Sequence, residues 1–372
     1  MSDLPSKELL QNISALLENA RKKVSVVVNQ TMVLTYFEIG RMIVEDEQNG
    51  ENRAEYGKAI IKDLSSNLSE RFGKGFSQRN LEQMRQFYLS YSIAQTPSAQ
   101  LEILNNRIPQ TLSADSQNQN SSTTLTNLKN TQISSINFNL SWSHYLKLMR
   151  INDVNERKFY EIESFKNNWS LRELQRQYDS ALYARLSLSK NKEEIIQLSE
   201  KGQIIEKPKD LIKDPYILEF LGLPERSNYS ESDLESRLIG KLEHFLLELG
   251  TGFTFVARQN RITFDEKHFK IDLVFYNRIL KCFVLIDLKI GELKHQDIGQ
   301  MQMYVNFYDR EVKLNDENKT IGIILCQDKS EALVKYTLPE DNEQIFASKY
   351  LTVLPSKEDF INILNSDNGK IS

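Results

Sequence analysis

Residues 269–304 read FKIDLVFYNRILKCFVLIDLKIGELKHQDIGQMQMY, and this stretch decides how the C-terminal half of the chain folds. It contains two short runs, 271–276 and 283–286, which are rich in β-branched and aromatic residues and are joined by residues 277–281. Runs of this length and composition on either side of a turn are typical of β-strands. We therefore predict a hairpin of two antiparallel strands.

Three charged residues lie in or next to these apolar runs. Asp272 interrupts the first run, whereas Asp287 and Lys289 follow the second and share one face of a strand because they are two positions apart. Burying an unpaired charge is costly, so these charges need a partner. Two carboxylates on neighbouring strands form a hard-oxygen site of the kind that Mg²⁺ accepts, and a lysine beside them can orient a water molecule. An internal Asp–Lys ion pair, or an edge strand with charges facing water, would explain the same residues.

The spacing D-(x14)-D-x-K resembles the active site of the PD-(D/E)XK nuclease superfamily. The surrounding sequence resembles more closely the YhcG family within it, in which a DLxFY strand leads into a (D/E)LK strand; here these are DLVFY from Asp272 and DLK from Asp287. Gln300 and Tyr304, four residues apart on one helical face, match a QxxxY pattern on the following helix. The chain departs from the superfamily pattern at Ile271, which replaces the proline, and it carries Asp287 where many relatives have Glu.

The resemblance implies a metal-dependent nuclease that uses Mg²⁺, with Mn²⁺ as the alternative ion, and acts on nucleic acid, above all double-stranded DNA. The implied catalytic residues are Asp272, Asp287, Lys289, Gln300 and Tyr304. The two aspartates, with the carbonyl of Leu288, would hold the ion, and the lysine would position the attacking water. The glutamine and the tyrosine would hold the substrate backbone or the lysine itself. A non-catalytic DNA-binding or assembly subunit of a defence complex is the alternative function.

Glu235 is the candidate for a third metal ligand. It follows the capping-box sequence at residues 230–233 and borders the apolar stripe of a helix that we predict to reach Leu249. Superfamily members often bring an acidic residue from the helix before the sheet towards the metal. A first-turn glutamate favoured by the helix dipole is an equally good explanation.

The N-terminal half has a helical pattern with a glycine turn, FGKGF, at residues 72–76. Ser77 is a good N-cap for the helix that follows, so this region has the outline of a helix-turn-helix. The second helix of such a motif would present its DNA-binding candidates to the major groove, namely Gln78, Arg79, Asn80 and Arg85. An ordinary helical hairpin is the alternative. The segments TYFEIGRMIVE and NLEQMRQFY resemble the winged-helix-like, DNA-binding domain that precedes the nuclease in the YhcG family.

Composition places limits on the remaining function classes. The chain has 372 residues, of which 40% are hydrophobic, and a net charge of −4, so no global basic field indicates a nucleic-acid partner. Cys282 and Cys326 both lie in apolar runs and predict buried thiols rather than a zinc site. The sequence contains neither a secretory signal pattern nor a long apolar run, so we expect a soluble, cytoplasmic protein.

The predicted organisation is an α+β or α/β multidomain protein. Residues 1–206 would form a mostly helical, winged-helix-like, DNA-binding domain with a flexible polar insertion at about 113–130. Residues 207–372 would form a PD-(D/E)XK, restriction-endonuclease-like α/β domain with the element order α-β-β-β-α-β. A homodimer or partner proteins of a defence system would complete the assembly.

Overall fold

The computed structural model describes residues 7–49, 53–92, 137–187, 191–224, 229–264 and 266–355. The chain forms two compact units, Met1–Leu171 and Arg172–Ser372. The predicted insertion at 113–130 lies outside the described residues. No helix in the described ranges is long and apolar enough to cross a membrane.

The N-terminal unit is built from helices. They are α1 (Lys7–Asn49), α2 (Arg53–Phe72), α3 (Gln78–Ser92), α4 (Trp142–Leu148) and α5 (Val154–Lys166). Helices α1 and α3 approach each other closely at Gly40, where an added Cβ would overlap the carbonyl of Met84. Phe37, Phe87 and Tyr145 are buried around this contact. The second half of α1 is therefore part of the core of this unit.

The turn before α3 has the predicted form. A single 3₁₀ turn, Lys74–Phe76, separates α2 from α3, and the Ser77 hydroxyl accepts a hydrogen bond from Asn80 N at 3.4 Å. The described residues of this unit contain no β-strand that could serve as a wing. The helical character predicted for the N-terminal region is confirmed.

The C-terminal unit contains a six-stranded mixed sheet with helices on both faces. Its helices are α6 (Leu171–Asp179), α7 (Leu182–Ser187), α8 (Lys192–Lys201), α9 (Glu231–Gly240), α10 (Leu242–Leu249), α11 (His295–Phe307) and α12 (Glu331–Thr337). The first residue of α6, Leu171, is the last residue of the N-terminal unit. Its strands are β1 (Tyr216–Ile217), β2 (Phe253–Phe264), β3 (Lys267–Asn277), β4 (Cys282–Leu288), β5 (Ile321–Cys326) and β6 (Ile345–Leu351). The sheet order is β1-β6-β5-β4-β3-β2. Strands β2, β3 and β4 are antiparallel, whereas β4, β5, β6 and β1 run parallel.

Alternation along the strands assigns the apolar side chains to two cores. On one face Val284 and Ile286 pack with α9 and α10. On the other face Leu285 packs with α11, and Met301 lies so close to β5 that a Cβ on Gly322 would come within 2.5 Å of its sulfur. Helix α11 is thus fixed tightly over the centre of the sheet.

The predicted order of elements, α-β-β-β-α-β, is confirmed by α10, β2, β3, β4, α11 and β5. The helix expected to run from residue 231 to Leu249 is interrupted at Lys241, which separates α9 from α10. The compact C-terminal unit includes residues 172–206, which the sequence assigned to the N-terminal domain. Arg185 of α7 explains this placement, because it forms a buried ion pair with Glu248 of α10. The functional boundary after residue 206 stays a prediction.

Candidate active site

Asp272 lies in β3 where its pairing with β4 ends. The last backbone pair of the two strands is Leu273 with Ile286, so Asp272 and Asp287 occupy the next opposing positions. At this point the side chain of Asp272 takes the place of a backbone acceptor of β3, because its Oδ2 accepts a hydrogen bond from Leu288 N at 2.8 Å. The two carboxyl groups are close enough that the Asp272 carboxylate raises the pKa of Asp287. The parting of the strands therefore brings both aspartates to one notch in the sheet.

Asp287 is almost completely buried, with 2% of its surface exposed. Lys289 Nζ lies 2.9 Å from its Oδ2, but no group among the described residues meets this oxygen in hydrogen-bonding geometry. A buried carboxylate oxygen that meets one poorly aligned ammonium keeps part of its desolvation cost. A hard cation fits it well, since Mg²⁺ binds one or two carboxylates together with water. The oxygen donors present thus fit a divalent metal.

The electrostatics of the notch follow from burial and from the proximity of the carboxyls. Burial, reinforced by the Asp272 carboxylate, raises the pKa of Asp287 to about 7. Burial also raises the pKa of Asp272. Burial opposes the charge on Lys289, but the neighbouring Asp287 carboxylate outweighs it and raises the pKa of the ammonium. Lys289 consequently stays protonated, and the carboxyl pair holds a proton readily when no cation is bound.

Gln300 and Tyr304 lie on α11 and are linked to each other and to β3. Gln300 donates a hydrogen bond to the Tyr304 hydroxyl, which in turn donates to the carbonyl of Lys270 at 2.9 Å. Burial raises the pKa of Tyr304, and the charges of the Asp272, Asp287 and Lys289 groups also reach it. The tyrosine therefore fixes α11 against the strand that carries Asp272. The roles of both residues towards substrate stay predictions.

Glu235 is buried on α9 and connects to the notch through a residue that the sequence did not indicate. Gln259 donates from its Nε2 to Glu235 Oε2 and also to Asp272 Oδ1, the latter at 3.3 Å. Gln259 adopts a φ of 47°, a conformation rare for residues other than glycine. The described residues contain no group of three acidic, histidine or cysteine side chains placed to share a metal ion. The assignment of Glu235 as a ligand stays a prediction.

Glu231, at the start of α9, is a second residue that sequence reasoning missed. Its Oε2 lies 3.9 Å from Lys289 Nζ, and its Oε1 accepts a hydrogen bond from Ile290 N at 3.3 Å. It is half exposed, so it borders the notch on the solvent side. Its position in the capping-box sequence predicts the start of a helix but does not predict a contact with Lys289. The contact with Lys289 arises from tertiary packing.

The four DNA-binding candidates lie together on the first turns of α3. Gln78 and Arg79 are exposed, whereas Asn80 Nδ2 donates to Gly75 O at 3.0 Å. Arg85 donates from its Nε to Glu47 of α1 at 2.7 Å. Arg79 is therefore the candidate whose cation is most open to a ligand. The DNA-binding role of all four stays a prediction.

A mixed sheet with the α-β-β-β-α-β order, carrying two carboxylates where β3 and β4 part and a lysine directly after β4, defines the core of PD-(D/E)XK nuclease domains. Comparison with known proteins agrees with this class. Residues 209–364 match the family model of the YhcG PDDEXK nuclease domain, and residues 12–185 match that of the DUF1016 N-terminal domain.

The chain is 40% identical to the "Putative nuclease YhcG" of Escherichia coli strain K12 over 355 residues. The aligned region covers 95% of this chain and 92% of that protein. It therefore belongs to the YhcG family of nuclease-domain proteins. Among solved structures it is similar to a repair endonuclease from Pyrococcus abyssi, with 17% identity over 35% of this chain and 50% of that one and a TM-score of 0.24. It is also similar to EndoMS in its apo form, with 14% identity over 36% and 49% of the two chains and a TM-score of 0.22.

Proposed function

We propose that this protein is a metal-dependent endonuclease that hydrolyses phosphodiester bonds of double-stranded DNA. The observation that carries the proposal is a notch in which two neighbouring acids, Asp272 and the buried Asp287, share one lysine, Lys289. A structural ion pair needs one acid for one lysine, whereas this notch holds two acids for one lysine. The surplus carboxylate suits a divalent cation, which accepts one or two carboxylates as ligands.

Asp272 and Asp287 would hold Mg²⁺ or Mn²⁺ with the carbonyl of Leu288. When bound, such an ion polarises the phosphate and lowers the pKa of a coordinated water. Its binding requires both carboxyls to be deprotonated, although burial raises their pKa values. Metal affinity should therefore rise with pH.

Lys289 would act on the attacking water and on the negative charge that develops at the phosphate. Its raised pKa keeps the ammonium charged, which suits electrostatic stabilisation rather than proton abstraction. Gln300 and Tyr304 would orient the substrate backbone next to β3. Glu235 would serve as a further ligand, or would act through Gln259 by orienting Asp272.

The N-terminal domain would hold the DNA by contacts from Gln78, Arg79, Asn80 and Arg85. Such contacts are local, which agrees with a chain whose net charge is −4. Phosphate contacts position a nuclease on its substrate without reading sequence.

The test is a digest of supercoiled plasmid, linear duplex, single-stranded DNA and RNA with Mg²⁺, Mn²⁺ or EDTA. We expect metal-dependent cleavage of duplex DNA, abolished by Asp287→Ala and retained by Asp316→Ala, which removes an exposed carboxylate in a turn. Duplex binding without cleavage in any metal would instead favour a non-catalytic or partner-dependent subunit of a defence complex. Preferred cleavage of RNA would contradict the proposed substrate.

A further inference from the structure

The first half of α1 exposes a continuous set of large apolar side chains. Leu16 and Val24, for example, are 69% and 62% exposed. The set comprises Leu9, Leu10, Ile13, Leu16, Leu17, Val24, Val26, Val27, Val28 and Met32. Single exposed apolar residues are ordinary, but a contiguous apolar surface indicates an interaction site.

The exposed residues follow a heptad pattern. Steps of three and four residues alternate without a break along what we call the α1 seam, which consists of Leu10, Ile13, Leu17, Ala20, Val24, Val27, Thr31 and Leu34. Thr31, its one polar member, donates its hydroxyl to Val27 O at 2.9 Å. The seam thus presents no unsatisfied side-chain donor. A repeat of 3.5 residues over more than three heptads is typical of helices that pair in a left-handed coiled coil.

The α1 seam is distinct from the face that α1 uses inside its own unit. The buried residues of the second half are Val33, Phe37, Ile43 and Val44, with Gly40 at the contact with α3. At 3.6 residues per turn, this buried face lies roughly a quarter turn from the seam. The core packing of α1 therefore leaves the seam uncovered.

The seam ends where the ion pairs of α1 begin. The next positions in the heptad are Glu38, Arg41 and Glu45, and Arg41 pairs with the two glutamates at 2.9 and 2.7 Å. Charged residues that satisfy one another along the same helix do not need an apolar partner. The apolar stripe consequently has a defined length, from Leu10 to Leu34.

We propose that the α1 seam pairs with the same seam of a second copy of this chain in a parallel, two-stranded coiled coil. At about 100 Å² of apolar surface for each of its six Leu, Ile and Val side chains, the stripe supplies roughly 600 Å² per chain, which is the lower end of the range for specific interfaces. Parallel pairing in register sets Lys23 across from Val28 and Arg21 across from Leu16, so no like charges oppose each other at these flanking positions. Identical patches that meet across a two-fold axis are the commonest basis of homodimers.

The oligomeric state of the full chain tests the proposal. Sedimentation and light scattering at micromolar concentration should give twice the chain mass. The double variant Leu17→Asp with Val24→Asp should raise the dimer dissociation constant at least tenfold. Its matched control, Asn19→Asp with Val26→Asp, has the same charges and spacing on the side of α1 away from the seam and should remain dimeric.

Cysteine crosslinking tests the register. Cys282 and Cys326 are both buried, so an added surface cysteine should dominate thiol reactivity. Ala20→Cys should form a disulfide-linked dimer under mild oxidation, whereas Asn19→Cys should not. A dimer that Ala20→Cys fails to link overturns the parallel pairing.

A monomeric wild-type chain overturns the proposal as a whole, since the seam would then be covered by another part of the chain or by a different protein. Equal dissociation of the seam variant and its control also overturns it. These readouts do not depend on cleavage, so the dimer and the nuclease activity stand or fall separately.

Discussion

Two clusters of buried charge in the C-terminal unit are built in opposite ways. Glu248 is fully buried, and its Oε1 accepts hydrogen bonds from Arg185 Nη1 at 2.6 Å and from Ile217 N at 3.0 Å. Its Oε2 lies 3.3 Å from Arg176. Burial alone would raise the pKa of Glu248, but Arg185, Lys213 and Arg176 outweigh it and lower the pKa to about 2. This cluster is satisfied and has a structural role.

The notch at Asp272 and Asp287 has two acids that repel each other and one lysine. Burial and repulsion raise the pKa of Asp287 to about 7, and one of its oxygens has no hydrogen bond from the described residues. Buried charges that serve the fold are matched with partners, and under the proposed function the surplus acid of the notch serves a ligand. The comparison teaches that burial alone does not separate structural from functional charges. What differs is the ratio of acids to cations, since three cations act on Glu248 whereas two acids share Lys289.

The largest expected effect is on cleavage by Lys289 variants. Lys289→Ala should lower the cleavage rate by about 10³-fold or more, because it removes a preorganised positive charge from the site. Lys289→Arg should be nearly as inactive, since a planar guanidinium cannot replace a compact ammonium. Cleavage rates and thermal melts on one preparation measure both properties. If the alanine variant melts at a much lower temperature or fails to fold, Lys289 has a structural role like that of Arg185. The distinction between the two charge clusters would then be wrong.

The next largest effect concerns stability. Glu248→Gln removes the charge that matches Arg185 and Arg176 and should cost about 3–5 kcal/mol of unfolding free energy. Asp287→Asn removes a repelled acid and should leave the unfolding free energy at pH 8 unchanged or raised, although it abolishes cleavage. Denaturant unfolding in EDTA provides both values. Comparable losses of unfolding free energy in the two variants would contradict the distinction between the two clusters.

The two clusters should also respond differently to pH. The folded-state pKa of Asp287 is raised above its ordinary 3.8 to about 7, so the metal-free protein should lose stability as pH rises through this window. The folded-state pKa of Glu248 is lowered from 4.5 to about 2, so its contribution should be lost only as pH falls below 4.5. Unfolding of wild type and Asp287→Asn in EDTA between pH 4 and pH 8 checks the sign. Parallel curves for the two proteins would contradict the raised pKa.

Added Mg²⁺ should restore the stability that the notch loses at high pH. At a concentration one hundred times its dissociation constant, a ligand of the folded state adds about 2.7 kcal/mol. The melting temperature should therefore rise with Mg²⁺ at pH 8 in the wild type and not in Asp287→Asn. An equal rise in both proteins would place the ion elsewhere.

The smallest effect is expected in the N-terminal unit. Arg85 and Glu47 form a pair in which the arginine is 37% exposed, and such pairs contribute at most about 1 kcal/mol. Arg79→Ala should leave stability unchanged and lower the salt slope of DNA binding by about one unit for a lost phosphate contact. Fluorescence anisotropy over a range of salt concentrations measures the slope. An unchanged slope would make the turn before α3 part of an ordinary helical hairpin.

Much of the fold was predictable because the relevant signals are local. Short runs rich in β-branched and aromatic residues predicted β3 and β4, and the spacing of Asp272, Asp287 and Lys289 indicated the notch. Ser77 indicated the start of α3 through its own capping chemistry. Each of these signals is contained in a few neighbouring residues, so the sequence by itself determined the elements and the acidic pair.

Only the tertiary structure decided which charges are satisfied. Gln259, which has a positive φ, bridges Glu235 of α9 and Asp272 of β3. Arg185 meets Glu248 across more than sixty residues of chain, which draws residues 172–206 into the C-terminal unit. The residues that neighbour a glutamine or an arginine in sequence do not specify such a partner. The packing of distant elements decides whether a buried oxygen meets a hydrogen-bond donor.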